Sequence, residues 1–314
     1  MYKMKIVPRI KIIGIGGAGN NALTRMAKFK IPGVQLIAIN TDNQDLKKTT
    51  ADLKIRIGRE MTRGLGTGMN PELGKKAAEE QKEEIELALK DSEMIFLTAG
   101  FGGGTGTGAT PIVANIAKEL GILTIAVITK PFAFEGASRK NIALDGIKNL
   151  EQKVDSLLLV SNDKLVSLVD KDTPLTKAFS LADEILHQAV ASIIDLILRP
   201  SLVTISFADI KSILKDAGKA FFGQGLSKGE NRGQEASLRA LSSPLLEISP
   251  EEASRILFNI SAKNLKLSEI DIVASTITKN IQAETKVIFG AREDDKLKSG
   301  EMKVTLIATG FREK

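Results

Sequence analysis

An α/β fold is predicted: a doubly wound, mostly parallel sheet, a long central helix, and a second, smaller α/β domain beyond it. Three observations carry this. Short apolar runs alternate with helical patterns through the first half of the 314-residue chain. Two glycine-rich loops each join an apolar run to a helical pattern. A single long helical pattern, stopped at Arg199-Pro200, then gives way to a segment where helical patterns precede most of the apolar runs. The boundaries that follow are 1–172, 173–200 for the connecting helix, and 201–314.

Met1 to Arg9 mixes basic and apolar residues around Pro8 and reads as a mobile head or an extra edge strand. Ile10–Ile15, Val34–Asn40, Met94–Thr98, Leu123–Thr129 and Ser156–Ser161 are apolar runs of strand length, read as buried strands. Asn21–Phe29, Pro71–Lys90, Pro111–Leu120 and Ser138–Glu151 read as the helices between them. In the long helix Thr173 suits the N-cap and Pro174 the first helical position. Phe179, Ala182, Leu186, Ala189, Ile193 and Ile197 then recur at spacings of three and four. From Pro174 to Leu198 this helix spans about 37 Å at 1.5 Å per residue. Beyond it, Phe207–Phe222, Glu230–Leu241 and Leu267–Gln282 read as helical, and Ile256–Ile260, Val287–Phe289 and Val304–Thr309 as strands.

Composition removes several chemistries. There is no Cys, hence no disulfide, thiolate nucleophile or zinc–thiolate centre. One His, His187, excludes multi-histidine metal sites; a partly buried structural role is expected for it. The net charge is +6, yet acidic residues nearly match basic ones, and aromatic residues are 4% of the chain. Without a basic patch or stacking platform, nucleic acid is not an expected partner. No apolar run reaches the length of a membrane span, and no signal peptide is read at the start, so a cytoplasmic protein without direct membrane insertion is expected.

The first glycine loop, Gly14-Ile-Gly16-Gly17-Ala-Gly19-Asn20-Asn21, follows a strand and opens a helix. Its N–H groups can cradle phosphate at the helix N-terminus. With Asp42 about twenty residues on, it also satisfies the dinucleotide fingerprint. Alone it leaves a nicotinamide or flavin oxidoreductase, and a ligand-free turn, both open. The second loop alters the balance. Gly102-Gly103-Gly104-Thr105-Gly106-Thr107-Gly108 places five glycines in seven residues, again between strand and helix, with Pro111 near the helix start. Backbone N–H groups and the Thr105 and Thr107 hydroxyls can donate to phosphate oxygens. No Lys lies in the loop, so it is not a P-loop. Two such loops on one sheet predict a polyphosphate chain held from both sides.

The loop Gly102–Gly108 resembles the signature of the tubulin/FtsZ superfamily, and the surrounding sequence is similar to its bacterial cell-division branch. The resemblance runs from about Ile10 to Phe311 and includes Asn40-Thr41-Asp42, Thr62-Arg-Gly-Leu-Gly66, Asn70-Pro71-Glu72, Thr129–Gly136, Asn162-Asp163, Phe207-Ala-Asp209, Gly229–Arg232, Ser242–Glu247 and Ile307-Ala-Thr-Gly310. It implies a GTPase that assembles head-to-tail with itself into protofilaments of the mid-cell division ring. Domain 1–172 would then bind GTP or GDP, with Mg²⁺ held by phosphates and water, and 201–314 would be the activation and polymerisation domain. Paralogues or ring adaptors are implied as possible partners.

Carried over residue by residue, the resemblance places Gly16, Gly17, Asn21 and Gly102, Gly103, Gly104, Thr105, Gly106, Thr107 and Gly108 at the nucleotide. Gly68, Met69 and Asn70 belong to a third loop near the terminal phosphate. Glu135 and Arg139 match the ribose contacts, and Asn162 a guanine-side contact. Phe179 and Asp183 are four apart on the long helix, so a stacking ring and a carboxylate share one face. A carboxylate accepts from guanine N1–H and its exocyclic amine, an adjacent donor pair that adenine lacks.

Asp183 to Leu198 is already more than about 20 Å of helix, so the loop Ser201–Asp209 is expected not to reach its own nucleotide. In the family that loop completes the neighbouring subunit's site, which implies that Asp209 acts in trans. Here the sequence departs from the family. Thr204 stands where an amide is usual and Ser206 where the first acid is usual, leaving Asp209 alone. A hydroxyl orients water but is no useful general base at neutral pH, and losing a positioned acid–base group costs about 10²–10⁴ in rate. Slow hydrolysis is therefore expected. The alternative is a non-hydrolysing structural subunit that copolymerises with a more active paralogue.

Overall fold

The structure, a computed structural model, describes residues 8–29, 33–166, 173–199, 201–242 and 250–311. The expectation for Met1–Val7 lies outside the described residues, as does Pro200. The chain forms two compact units, Met1–Ala191 and Ser192–Lys314. The division falls inside the long helix that the sequence reading treats as a segment of its own.

The first unit runs β1 (Ile10–Ile15), α1 (Gly16–Met26), β2 (Val34–Asn40), α2 (Asn43–Lys48), β3 (Leu53–Arg56), α3 (Arg59–Thr62), α4 (Pro71–Glu80), α5 (Lys82–Leu89), β4 (Met94–Gly100), α6 (Gly104–Glu119), β5 (Leu123–Lys130), α7 (Ala137–Glu151), β6 (Ser156–Ser161) and α8 (Asn162–Val166). α9 (Leu175–Leu198) starts in this unit and ends in the next. All strand pairs of the first unit are parallel, in the order β3-β2-β1-β4-β5-β6.

Both faces of this sheet are covered, as a doubly wound fold requires. Ile13 and Ile15 share a core with Ile37, Ile39, Leu97 and the apolar stripes of α4 to α7, including Ala77, Ile85, Val113 and Ile147. Gly14 points the other way, where a Cβ would lie 2.5 Å from the Leu23 side chain of α1.

Several helices differ from expectation in their starts. α1 and α6 begin within the glycine loops, at Gly16 and Gly104, rather than at Asn21 and Pro111. Glycine's poor propensity hides a first turn that tertiary packing imposes. Pro111 thus lies inside α6, not near its start. The stretch Pro71–Lys90 is two helices, interrupted at Gln81. The short α2, β3 and α3 were not expected; each is too brief to show a period.

In the second unit, α10 (Phe207–Leu214) precedes β7 (Gly218–Lys228), followed by α11 (Arg232–Leu241), β8 (Ala253–Ala262), α12 (Leu267–Thr278), β9 (Lys286–Glu293) and β10 (Glu301–Phe311). The expectation of one helix over Phe207–Phe222 is corrected. Asp216 and Gly218 adopt positive φ, 49° and 64°, turning the chain into a strand. β10 pairs antiparallel with β7 and β8, and β8 pairs parallel with β9. Gly223 and Gly225 let α11 lie close on β7, since a Cβ on either would meet an α11 carbonyl at 1.9 Å. Arg232, 6% exposed, holds this unit together through a bidentate pair with Glu269 at 2.7 and 2.8 Å, plus bonds to the carbonyls of Lys263, Asn264 and Glu301.

Candidate functional site

Strand order 3-2-1-4-5-6 reverses between β1 and β4, and ligands of open parallel sheets bind outside the strand ends at such a point. α1 follows β1 and α6 follows β4, so both glycine loops open there. They touch: Gly16, at φ 71°, would place a Cβ 3.0 Å from the Gly106 nitrogen. A cleft of about 370 Å³ lies against them, lined also by Met69, Glu135, Arg139 and Asn162.

The glycines of the second loop divide into two groups. A Cβ on Gly104 would sit 2.3 Å from Thr67 Oγ1, on Gly106 2.6 Å from the Gly100 carbonyl, and on Gly108 2.0 Å from the Pro71 carbonyl. These three permit α6 to pack on α4, the third loop and β4. Gly102 supplies a φ of 101°, and Gly103 faces open space. Thr107 Oγ1 accepts the Gly102 N–H at 3.0 Å, which fixes the loop's shape. Thr105 Oγ1 is 2.7 Å from Thr41 Oγ1 and 3.3 Å from Thr67 Oγ1, a buried hydroxyl chain tying three loops.

Electrostatically the cleft suits an anion with several oxygens. Neither α1 nor α6 has a side-chain cap or an acidic residue in its first turn, so their leading N–H groups and dipoles are unopposed. Arg139 brings the cation. Its guanidinium meets Glu135 at 2.6 Å, although Glu135 lies in the 3₁₀ turn Ala133–Glu135 before α7 rather than on one helix with it. Glu135 also accepts the Phe132 N–H at 2.9 Å, leaving carboxylate lone pairs toward the cleft. Asn162 is 6% exposed, and its side-chain oxygen has no partner, an acceptor a ligand can satisfy. Among the described residues no group of three His, Cys, Asp or Glu is placed to hold a metal.

Around the cleft the fold gathers Gly16, Gly17, Met69, Gly103, Gly104, Thr105, Gly106, Glu135, Arg139 and Asn162. Met69 adopts φ 66°, a strained conformation for a residue other than glycine. Gly68, Asn70, Gly102, Thr107 and Gly108 do not line the cleft: the first two are exposed, and the other three are buried beside it. Asn70 is the α4 N-cap, accepting from the N–H groups of Glu72 and Leu73. Asn21 is exposed on α1, whereas Asn20 is buried with both amide atoms unpartnered. Asp42, the fingerprint acid, is the N-cap of α2. Lining residues missed by sequence reasoning include Ala18, Thr129 and Pro131; the available signal was a place in a glycine loop for Ala18 and at or just past the carboxyl end of β5 for the other two. Phe179 and Asp183 fall on α9, but their side chains lie outside the described residues. His187 is buried, with its ring stacked on Phe29 at 4.1 Å.

Thr204, Ser206 and Asp209 belong to the second unit. Val203 bridges to Ala291 of β9, and Ser206 caps α10. Ser206 Oγ accepts the Asp209 N–H at 3.1 Å; the Ser206 N–H and hydroxyl both donate to Asp209 Oδ2, at 2.9 and 2.6 Å. These bonds, the hydroxyl's first, hold the Asp209 carboxyl below the ordinary aspartate range, and the charge of Lys286 acts the same way. Thr204 Oγ1 donates to the Ser201 carbonyl at 3.2 Å.

Residues 9–170 match the family model "Tubulin/FtsZ family, GTPase domain", and 218–312 match "FtsZ family, C-terminal domain". Among solved structures, the chain is similar to an FtsZ dimer from M. jannaschii at 42% identity and TM-score 0.89, covering 96% of this chain and 88% of that one. At the level of fold it is similar to a GTPγS-bound CetZ2 protofilament from Haloferax volcanii, with 21% identity, TM-score 0.84, and coverage of 97% and 94%. The GDP-bound CetZ1 monomer from the same organism gives 20% identity, TM-score 0.84, and coverage of 97% and 95%.

Proposed function

The chain belongs to the tubulin/FtsZ GTPase family, and on that premise we propose that it is a GTP-binding filament subunit of a cell-division ring. Hydrolysis in this reading is completed across the subunit interface. The observation that carries it is the convergence of two uncapped helix N-termini on one cleft at the sheet's switch point. N–H groups of Gly16, Gly17, Gly103, Gly104 and Gly106 hold the phosphates, Glu135 and Arg139 the ribose, and Asn162, Phe179 and Asp183 the guanine. Mg²⁺ would neutralise phosphate charge and would be held by phosphate oxygens and water, since among the described residues no cluster of carboxylates is placed to cage it.

Asp209, in the other unit, acts on the nucleotide of the next subunit, where it orients the attacking water. Water oxygen bonds to the γ-phosphorus, the bond from that phosphorus to the β–γ bridging oxygen breaks, the water proton passes to an oxygen of the departing phosphate, and GDP is left. Such a contact joins unlike surfaces, so assembly gives open filaments rather than closed dimers. The FtsZ dimer among the similar structures, at 42% identity, supports self-association. Paralogues or adaptors in a mid-cell ring belong to the same proposal.

The test is pelleting plus phosphate release with GTP and Mg²⁺, with and without a slowly hydrolysed analogue. Polymer should require nucleotide and protein concentration, and phosphate release should follow polymer. A chain that stays monomeric by light scattering at high concentration with GTP and Mg²⁺ counts against assembly. One observation favours a second reading, a structural subunit that hydrolyses little: hydroxyls stand at Thr204 and Ser206. Turnover of the pure protein against a mixture with a more active paralogue separates the two.

A further inference from the structure

The hydroxyl at position 206 has one proton, and the structure assigns it. We infer that Ser206 is a positioning residue, which locks the Asp209 carboxylate so that its second oxygen, Oδ1, alone is offered to water in the neighbouring site. This rests on the hydrolytic reading above. The geometry is a closed exchange. Oδ2 accepts from the Ser206 hydroxyl at 2.6 Å and from the Ser206 N–H at 2.9 Å, while Ser206 Oγ accepts the Asp209 N–H at 3.1 Å.

Two consequences follow. First, Ser206 has no proton left for water or phosphate, so its effect on hydrolysis passes through Asp209. Second, a carboxylate that already accepts two hydrogen bonds on one oxygen loses a rotamer freedom that a lone exposed aspartate would keep. Side-chain rotation would swing Oδ1 by more than 1 Å, and misplacement of that size costs about 10²-fold in rate. Ser206 at the N-cap therefore does not replace the missing acid. It converts the remaining acid from a mobile group into a fixed acceptor.

The fixed acceptor is also a weak base. Both Ser206 donors and the positive charge of Lys286, reaching from β9, favour the ionised carboxylate. Lys286 is itself held by a bond from its ammonium to Ser212 Oγ at 2.9 Å. Asp209 then stays ionised throughout the neutral range and orients water without taking its proton.

The test compares Ser206→Ala, Ser206→Thr and Asp209→Ala with the unaltered chain. Phosphate release is expressed per pelleted subunit, and the Asp209 carboxyl is titrated by carbon NMR in the nucleotide-free protein. Ser206→Ala should lower kcat by about tenfold or more with the KM for GTP unchanged, and Ser206→Thr should keep most of the rate. The Asp209 titration midpoint should lie below the ordinary aspartate range in the unaltered chain and rise toward it in Ser206→Ala. Equal turnover and an equal midpoint in Ser206→Ala, with Asp209→Ala still slow, overturns the positioning role alone. Equal turnover in Asp209→Ala overturns the hydrolytic reading beneath it, and the positioning role with it.

Discussion

Adding one methyl group at Gly108 and one at Gly103 should separate folding from binding. At Gly108 the new Cβ would stand 2.0 Å from the Pro71 carbonyl and 2.7 Å from the Lys75 nitrogen, where ordinary contact begins at 3.4 Å. α6 and α4 would have to part by about 1.4 Å, and both obstacles are backbone that no rotamer change removes. Overpacking of this kind costs about 1–3 kcal/mol, against a helix-propensity gain of about 1 kcal/mol for Gly→Ala. A net loss of about 2 kcal/mol at the upper end lowers Tm by roughly 4–8 °C in a unit of this size. At Gly103 the Cβ meets nothing within 4 Å, φ is −98°, and the residue lines the cleft. Gly103→Ala forfeits at most about 1 kcal/mol of N-cap preference but puts a methyl group where phosphate oxygens approach. Thermal unfolding of the nucleotide-free protein and a GTP titration read the two effects separately. Gly108→Ala stabilised by the full helix-propensity gain of about 1 kcal/mol would refute the packing account of the second loop. Unchanged GTP affinity in Gly103→Ala would refute the placement of the phosphates.

Three further outcomes are expected. Asp183→Ala should weaken GTP binding and narrow the preference for GTP over ATP, whereas Thr105→Ala should weaken both nucleotides alike; equal affinity for ATP and GTP in the unaltered chain contradicts the guanine assignment. Arg232→Ala should destabilise the second unit by about 1–3 kcal/mol, since it removes two charge-assisted hydrogen bonds from the half-buried Glu269 carboxylate, as denaturant unfolding will show. The Arg232 bonds hold the Glu269 carboxyl below its ordinary range, so its contribution is present above about pH 4.3 and is lost as pH falls through the lowered folded value. Ser206→Asp keeps an N-cap acceptor for the Asp209 N–H and adds a carboxylate that itself orients water, a gain that outweighs the lost hydroxyl bond. Phosphate release should therefore rise, more so with Thr204→Asn; a flat rate while filaments still form shows that a second carboxylate there adds nothing.

Much of this was legible in the sequence because burial leaves a period. The strands Ile10–Ile15, Val34–Asn40 and Ser156–Ser161 were read to the residue, since each is a short apolar run with turn residues at its ends. The glycine loops were legible as a site, but not as a structure. Nothing in Gly104-Thr105-Gly106-Thr107-Gly108 says that it is already helix, because the α4 contact that imposes the turn comes from residues more than thirty positions earlier. The roles of Thr107 and Asn70 were hidden for a different reason: each side chain accepts from backbone N–H groups two to five residues away, in loops whose shape no period shows. The misreading of Phe207–Phe222 has a local cause. Phe221 and Phe222 continue the apolar pattern of α10, and only the positive φ at Asp216 and Gly218 ends it. The Ser206–Asp209 exchange was visible as a capping-box spacing, yet the departure from the family drew attention to the lost charge instead.

The central claim is that one subunit binds the nucleotide and the next completes its hydrolysis. Mixing Asp209→Ala subunits with Gly103→Ala subunits, each inactive alone, tests it most directly. The first binds GTP but offers no carboxylate; the second offers Asp209 but binds GTP poorly. With GTP and Mg²⁺, phosphate release in the mixture should exceed the sum of the separate rates and should peak at comparable amounts of the two. A mixture that releases no more phosphate than that sum, while both variants enter the same pellet, contradicts catalysis shared across the interface.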